Sequence, residues 1–190
     1  MSDAESAVLD WQGPIRPTAF VATDDPDIMQ EPAVYLCAMT YDAVVTIYVG
    51  MTKNFLHRLR DHLAATLGLT YWLRDDAGRH CHDPSGVAEY LMSLNDAQAL
   101  QDLARAEIER MTWFFAPAEP QALPFLEGLL IRRVRVLEGA GAMDGFRRII
   151  SENGQAGRAP SGPLVVENRG ADWPLGILGA SVEWPMADAA

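Results

Sequence analysis

The sequence predicts an α+β fold in which a small antiparallel β-layer is flanked by helices. Two runs of β-branched and aromatic residues with the length of a strand, 33–39 and 44–49, follow each other closely. A helical pattern follows over 54–67. A third strand-like run, 111–115, then precedes a strong helix over 124–137. This order of elements is that of a small α+β layer with antiparallel pairing at its start.

The individual elements have recognisable beginnings and ends. Only residues 40–43 connect the first two strands, so these strands are predicted to form a hairpin. Gly50 is predicted to end the second strand. The helix that follows carries an apolar stripe of Leu56, Leu59, Leu63 and Leu67. The last helix has Pro124 in its first turn, where the missing N–H is harmless, and Gly139 stops it.

The core of the fold is predicted to span residues 32–150, with an insertion at 68–104 and an arm at each end. The N-terminal arm, 1–31, is rich in proline and acidic residues and is expected to have little regular structure. The C-terminal arm, 151–190, is rich in glycine and proline. Short helices are expected at 87–94, 96–108 and within 146–150. The expected anchors of the arms are Trp11, Ile15, Phe20, Trp173 and Trp184.

Composition excludes several classes of protein. The chain has 190 residues, of which 49% are hydrophobic and 22% charged, so it can bury the core of one globular domain. No apolar run approaches the roughly eighteen residues of a spanning helix, and the first residues do not resemble a secretory signal. We therefore expect a cytoplasmic protein without a membrane partner. Cys37 and Cys81 are too few for a disulfide framework and are expected to be reduced.

The net charge of −11 argues against a protein that coats nucleic acid. The charge is unevenly distributed, however, because residues 1–31 hold seven acidic residues and one arginine. The middle of the chain instead carries two clusters of bases, which are Lys53, Arg58 and Arg60, and Arg132, Arg133 and Arg135. This distribution is compatible with a local phosphate site.

Polar residues border the buried face of the first helix. Asn54, Arg58 and His62 are spaced i, i+4 and i+8, so they stack along one side and can converge with side chains of the strands. A solvated flank is the alternative interpretation. Tyr35 and Tyr48 lie in the two strands of the hairpin, where aromatic residues usually serve packing.

Glu127 lies inside the apolar arc of the last helix. A buried carboxylate without a partner is costly, so this position calls for a metal ion, an arginine or a strong hydrogen-bond donor. A glutamate at the edge of the core, paired with an arginine of its own domain, is the alternative.

These residues together resemble the motifs of the GIY-YIG nuclease superfamily. The resemblance rests on Ala33-Val34-Tyr35, on Tyr48-Val49-Gly50, on Arg58 ten residues after the second tyrosine, and on Glu127 at the start of a Leu/Ile-rich helix. The step from Arg58 to His62 is similar to the Arg-x-x-x-His of the restriction-endonuclease branch. The resemblance covers 32–137 apart from the insertion. It implies a three-stranded antiparallel sheet flanked by helices and metal-dependent hydrolysis of DNA phosphodiester bonds.

The resemblance also implies roles for the shared residues. Glu127 would bind one Mg²⁺ or Mn²⁺, which fits the ligand preference of a hard cation. Arg58 would brace the non-bridging phosphate oxygens. Tyr35 or Tyr48 would serve as the base, with His62 as an alternative base or as a partner that orients the phenol. Substrate-binding residues would be Thr52, Lys53, Asn54 and Asn153.

Two departures from the family pattern concern the first strand and the last helix. Ala33 stands where the family usually has glycine, and no asparagine occurs between Glu127 and Asn153, although one is expected about a dozen residues after the glutamate. Two other functions therefore remain open. The first is a catalytically silent module that binds a protein partner through the acidic arms. The second is a nuclease that acts on RNA or branched DNA.

Overall fold

A computed structural model of the chain describes residues 5–17, 26–84 and 97–185, which contain ten β-strands and four α-helices. The strands are β1 (Glu5–Ile15), β2 (Ala33–Thr40), β3 (Val44–Thr52), β4 (Leu73–Arg74), β5 (His80–His82), β6 (Met111–Pro117), β7 (Met143–Asp144), β8 (Arg147–Ser151), β9 (Leu164–Gly170) and β10 (Ser181–Trp184). The helices are α1 (Phe55–Leu67), α2 (Ala97–Arg110), α3 (Leu123–Gly139) and α4 (Asp172–Leu178).

The central sheet has eight strands in the order β10-β9-β1-β6-β2-β3-β8-β7, and β4 pairs with β5 separately. The α+β class is as predicted, but the small three-stranded sheet is wrong. Strands β6, β2 and β3 do run antiparallel side by side. The sheet continues past them because β1 pairs with β6 on one side and β8 pairs in parallel with β3 on the other.

Both predicted arms contribute strands to this sheet. Residues 5–15 form β1, so the prediction of little regular structure in 1–31 is wrong there. Leu9, Trp11 and Ile15 of β1 are almost completely buried, which makes the strand part of the core. The C-terminal arm supplies β9, which runs parallel to β1 over seven residue pairs, together with α4 and β10. Parallel pairing over such a chain distance leaves no local signature in the sequence.

Several local predictions agree with the structure, and others do not. The β2–β3 hairpin forms, with Ala33 opposite Thr52. Helices α1, α2 and α3 lie close to the predicted ranges. The segment 146–150 is not a helix, since most of it forms β8, where Ile149 is buried beside β3. The helix expected at 87–94 and the anchor Phe20 lie outside the described residues.

The two faces of the sheet carry separate cores. On one face, α3 packs over Leu36, Val49 and Phe114. On the other face, α1 packs over a cluster rich in aromatic residues, which includes Tyr35, Phe55, Trp113 and Phe115. Neighbouring residues of a strand point to opposite faces. The hairpin tyrosines therefore face α1, whereas Glu127 belongs to the helix on the opposite face.

The described helices include none long and apolar enough to cross a membrane.

Helix α3 lies in direct contact with the backbone of the segment that follows β8. A Cβ placed on Gly128 would lie 1.9 Å from the carbonyl oxygen of Arg158. The Arg132 guanidinium joins the same two segments, because its Nη1 donates to the carbonyl oxygens of Gly128 at 2.8 Å and of Ala156 at 2.9 Å. Only glycine permits this close approach.

We expect Gly128→Ala to lower the free energy of unfolding by about 1–3 kcal/mol or more, because the added methyl group must displace a backbone carbonyl. Urea unfolding followed by circular dichroism measures the change. Gly176→Ala is the matched control, since Gly176 lies in α4 and a Cβ there meets nothing within 4 Å. Equal stability of the Gly128 variant and the wild-type protein would show that the close contact does not exist.

Candidate active site

The buried hydroxyl of Tyr35 lies at the centre of the candidate site. Tyr35 on β2 has no exposed surface. Arg58 Nε donates a hydrogen bond to its hydroxyl oxygen at 2.9 Å, and His62 Nε2 lies 3.3 Å from the same atom. The i, i+4 pair on α1 thus converges on the first tyrosine as expected. A solvated flank is the wrong interpretation for these two residues.

Burial determines the protonation of this group of residues. Burial and the neighbouring Tyr48 raise the pKa of Tyr35, and the hydrogen bond from Arg58 opposes this only in part. Burial and the positive charge of Arg58 lower the pKa of His62 to about 4. At neutral pH, Tyr35 is therefore a phenol and His62 is a neutral imidazole. Arg58 donates to the phenol oxygen, and the phenol can donate to His62 Nε2 in the tautomer that leaves this nitrogen unprotonated, or to the neighbouring Tyr48 hydroxyl.

Two further phenols stand beside this centre. The Tyr48 ring lies 6.0 Å from the Tyr35 ring and 5.7 Å from the His62 ring. The ring of Tyr71 lies 5.3 Å from that of His62, and its phenol is close enough to affect the pKa of Arg58. Sequence reasoning missed Tyr71. The available signal was an aromatic pair, Tyr71 and Trp72, between two short polar segments.

Gly50 makes room for the Tyr35 hydroxyl. A Cβ at Gly50 would lie 2.4 Å from both the hydroxyl oxygen and the ring carbon that carries it. The prediction that Gly50 ends the second strand is wrong, because β3 continues to Thr52. The absence of a side chain at Gly50 instead lets the phenol lie against the backbone of β3.

Glu127 approaches the same strand from the α3 side. Its carboxylate accepts a hydrogen bond from the backbone N–H of Met51, and burial raises its pKa. The side chain is half-buried, and among the described residues it forms no ion pair, so the alternative of an arginine partner is not found. Met51 follows Gly50 directly, so Glu127 and Tyr35 approach adjacent residues of β3.

Asn153 completes the hydrogen bonding of β3. Its Oδ1 accepts from the backbone N–H of Val49 at 2.9 Å, and its Nδ2 donates to the Val49 carbonyl oxygen at 2.7 Å. The backbone pairing of β3 with β8 ends at Ile47 and Ser151, so this side chain continues the ladder. The amide that was expected to bind substrate is thus used to position the strand that carries Tyr48.

Thr52, Lys53 and Asn54, at the junction of β3 and α1, have different roles. Thr52 Oγ1 donates to the carbonyl oxygen of Asn54 at 2.9 Å. Asn54 caps α1, since its Oδ1 accepts from the backbone N–H of His57 at 2.8 Å. Both therefore shape the turn that aims α1 at the sheet. Lys53 is exposed, and among these three predicted substrate-binding residues its side chain is the most available to a phosphate.

Glu127 offers a single carboxylate to a hard cation. No group of three or more His, Cys, Asp or Glu side chains converges within the described ranges. Mg²⁺, however, commonly binds through one or two carboxylates, waters and substrate phosphate oxygens. A desolvated carboxylate with a single backbone donor retains free lone pairs for such an ion. Glu127 is therefore the group that would hold Mg²⁺ or Mn²⁺.

Comparisons of the chain with models of protein families, with curated proteins and with solved structures find no match. The functional argument therefore rests on the geometry above.

The low pKa of His62 predicts a specific loss of stability in acid. An unfolded histidine titrates near 6.5, whereas folded His62 titrates near 4, so the unfolded chain binds the proton first as the pH falls. The contribution of His62 to the free energy of unfolding is therefore constant above pH 6.5 and decreases toward pH 4, by about 3 kcal/mol in total. Urea unfolding at several pH values measures this decrease.

We expect His62→Gln to reduce the loss of stability between pH 7 and pH 4, whatever its stability at pH 7. His57→Gln is the matched control, because His57 is exposed on the same helix. It should retain the wild-type pH dependence. If the free energy of unfolding depends on pH with the same slope in the wild-type protein and in His62→Gln, the assignment of His62 as a buried neutral imidazole is wrong.

Proposed function

We propose that this protein is a metal-dependent endonuclease of the GIY-YIG type, which hydrolyses phosphodiester bonds of DNA. The observation that carries the proposal is the convergence of Arg58 and His62 on the buried hydroxyl of Tyr35. Tyr48 packs beside this group, and Glu127 approaches the adjacent backbone of β3. Four residues of the family resemblance, Tyr35, Tyr48, Arg58 and His62, come from two strands and α1, and the fifth, Glu127, comes from α3 on the opposite face.

Arg58 supplies the positive charge for the phosphate. Its Nε is used by Tyr35, and no partner among the described residues takes its two terminal nitrogens. A guanidinium keeps its charge at any physiological pH, and its planar donors match phosphate oxygens. Donors held in place in this way stabilise the charge that builds on the non-bridging oxygens as the nucleophile attacks.

His62 provides an acceptor for the proton of the attacking water. Tyr35 is fully buried, so water does not reach its hydroxyl, and its raised pKa disfavours a phenolate. His62 instead borders an open cavity beside Tyr48, so its imidazole could accept the proton of a water bound there, while the Tyr35 hydroxyl, 3.3 Å from Nε2, holds the ring in place. One O–H bond of water breaks, an N–H bond forms on His62, which becomes the imidazolium, and the remaining hydroxide attacks phosphorus.

Glu127 would hold the divalent ion. When bound, such an ion acts as a Lewis acid on the phosphate and stabilises the leaving oxygen. Glu127 is half-buried without an arginine or lysine partner among the described residues, and burial raises its pKa, so an incoming cation would stabilise its ionised form. Its hydrogen bond to Met51 fixes the carboxylate at the end of β3 that is closest to Gly50 and Tyr35.

The proposal is tested by incubating purified protein with plasmid and oligonucleotide DNA in Mg²⁺ or Mn²⁺. We expect metal-dependent cleavage, which EDTA abolishes. Arg58→Ala and Glu127→Gln should each reduce the cleavage rate about 10²–10³-fold, as expected for loss of one transition-state contact. Arg58→Lys should remain impaired because an ammonium group lacks the planar set of donors.

Each variant has a matched control on the same helix. Arg60→Ala on α1 and Glu138→Gln on α3 replace exposed residues of the same type and should cleave at the wild-type rate. Equal losses in the variants and controls would indicate a general charge effect and contradict the assigned roles. Cleavage of RNA or branched DNA alone would favour the narrower alternative. Intact nucleic acid of every kind would favour the catalytically silent module.

A further inference from the structure

A cavity of about 380 Å³ opens beside the candidate active site, on the α1 face of the sheet. Tyr48 and His62 form part of its wall and also belong to the group around Tyr35. The insertion, residues 68–104, contributes two more aromatic side chains to the wall, Tyr71 and Trp72. The volume lies in the range of sites that hold one small organic molecule. A ligand in this cavity would therefore contact the catalytic group directly.

The charges of the cavity favour a neutral ligand. Arg74 lines the cavity, but its guanidinium donates to both carboxylate oxygens of Glu152 at 2.7 Å. This ion pair neutralises the arginine and keeps it in place. The buried carboxylate of Glu107 on the same wall is also paired, with Arg110 Nη1 at 3.4 Å. The paired charges leave no free arginine or lysine among the described lining residues for a phosphate, while a flat, uncharged ring with polar edges suits the aromatic and polar lining.

Trp72 carries an additional sign of ligand binding. Its side chain is 47% exposed, which is unusual for the largest aromatic residue next to a cavity with room for another ring. The Trp72 ring meets the His80 ring edge-on, with their centroids 4.7 Å apart. Exposed aromatic rings beside a phosphate-binding cation are the usual stacking platforms of proteins that bind single-stranded nucleic acid.

We propose that this cavity receives one unpaired nucleobase of the substrate, next to the phosphate bound by Arg58. The inference rests on the proposed nuclease function and narrows its substrate to DNA with an unpaired nucleotide at the cleavage point. A net charge of −11 leaves few cations for the phosphates of a long duplex, so stacking must supply a large share of the affinity. Extrusion costs least when the base is already unpaired.

The test compares two labelled duplexes that differ only by one unpaired thymidine. Fluorescence anisotropy in EDTA gives both affinities without cleavage. We expect the wild-type protein to bind the duplex with the unpaired base at least about tenfold more tightly, the range that stacking of one base provides. Trp72→Ala should remove this preference and leave the affinity for the paired duplex unchanged.

Phe146→Ala is the matched control, because Phe146 is 69% exposed in the β7–β8 connection, away from the cavity lining. It should retain the wild-type preference. Photocrosslinking with 5-iodouracil at the unpaired position should label Tyr71 or Trp72 in the wild-type protein, as mapped by mass spectrometry. Trp72 is exposed, so its substitution is not expected to prevent folding.

The outcomes separate the two proposals. Metal-dependent cleavage without a preference for the unpaired base, or with a preference that Trp72→Ala leaves intact, would overturn the nucleobase site and leave the nuclease function standing. Loss of the preference in Phe146→Ala to the same extent would also overturn the site. Absence of both binding and cleavage for either duplex would overturn both proposals.

Discussion

The buried hydroxyl of Tyr35 is the constraint on which the candidate site depends. A hydroxyl without contact to water must find hydrogen-bond partners inside the protein, and Arg58 and His62 are the partners that α1 brings to it. This requirement fixes the rotation of α1 over the sheet. Gly50 contributes by leaving the space beneath the ring. The arrangement of the candidate site is thus also the solution to a packing problem of the core.

A second constraint is the incomplete edge of β3. The strand is longer than its neighbour β8, so its last backbone groups lack a partner strand. Asn153 satisfies Val49 through two hydrogen bonds, and Glu127 accepts from Met51. Buried or partly buried backbone groups left unpaired would be costly. The same strand extension therefore has a carboxylate of α3 at Met51, next to the glycine against which the Tyr35 ring lies.

The sequence was informative where the signal is local. Helical spacing predicted that Arg58 and His62 share one side of α1, and two β-branched and aromatic runs with a short connection predicted the hairpin that carries Tyr35. The eight-stranded sheet could not be predicted in this way, since the parallel partners β1 and β9 lie more than 150 residues apart. The role of Asn153 also depends on tertiary position, because the residue caps a ladder whose end no local pattern marks. Tyr71 lies in an insertion without periodicity.

The weak basicity of His62 in the structure is consistent with the proposed proton transfer. The positive charge of Arg58 is one of the two causes of its low pKa, the larger being burial. A phosphate bound to Arg58 would neutralise that charge and add negative charge of its own, so the imidazole would become a stronger base as substrate binds. The imidazole would then remain neutral without substrate and become an effective proton acceptor only when a phosphodiester is in place. A carboxylate at the His62 position would accept a proton equally well but would form an ion pair with Arg58 and compete with the phosphate. A neutral, desolvated imidazole avoids this competition, which gives a physical reason for a histidine one helical turn after the arginine.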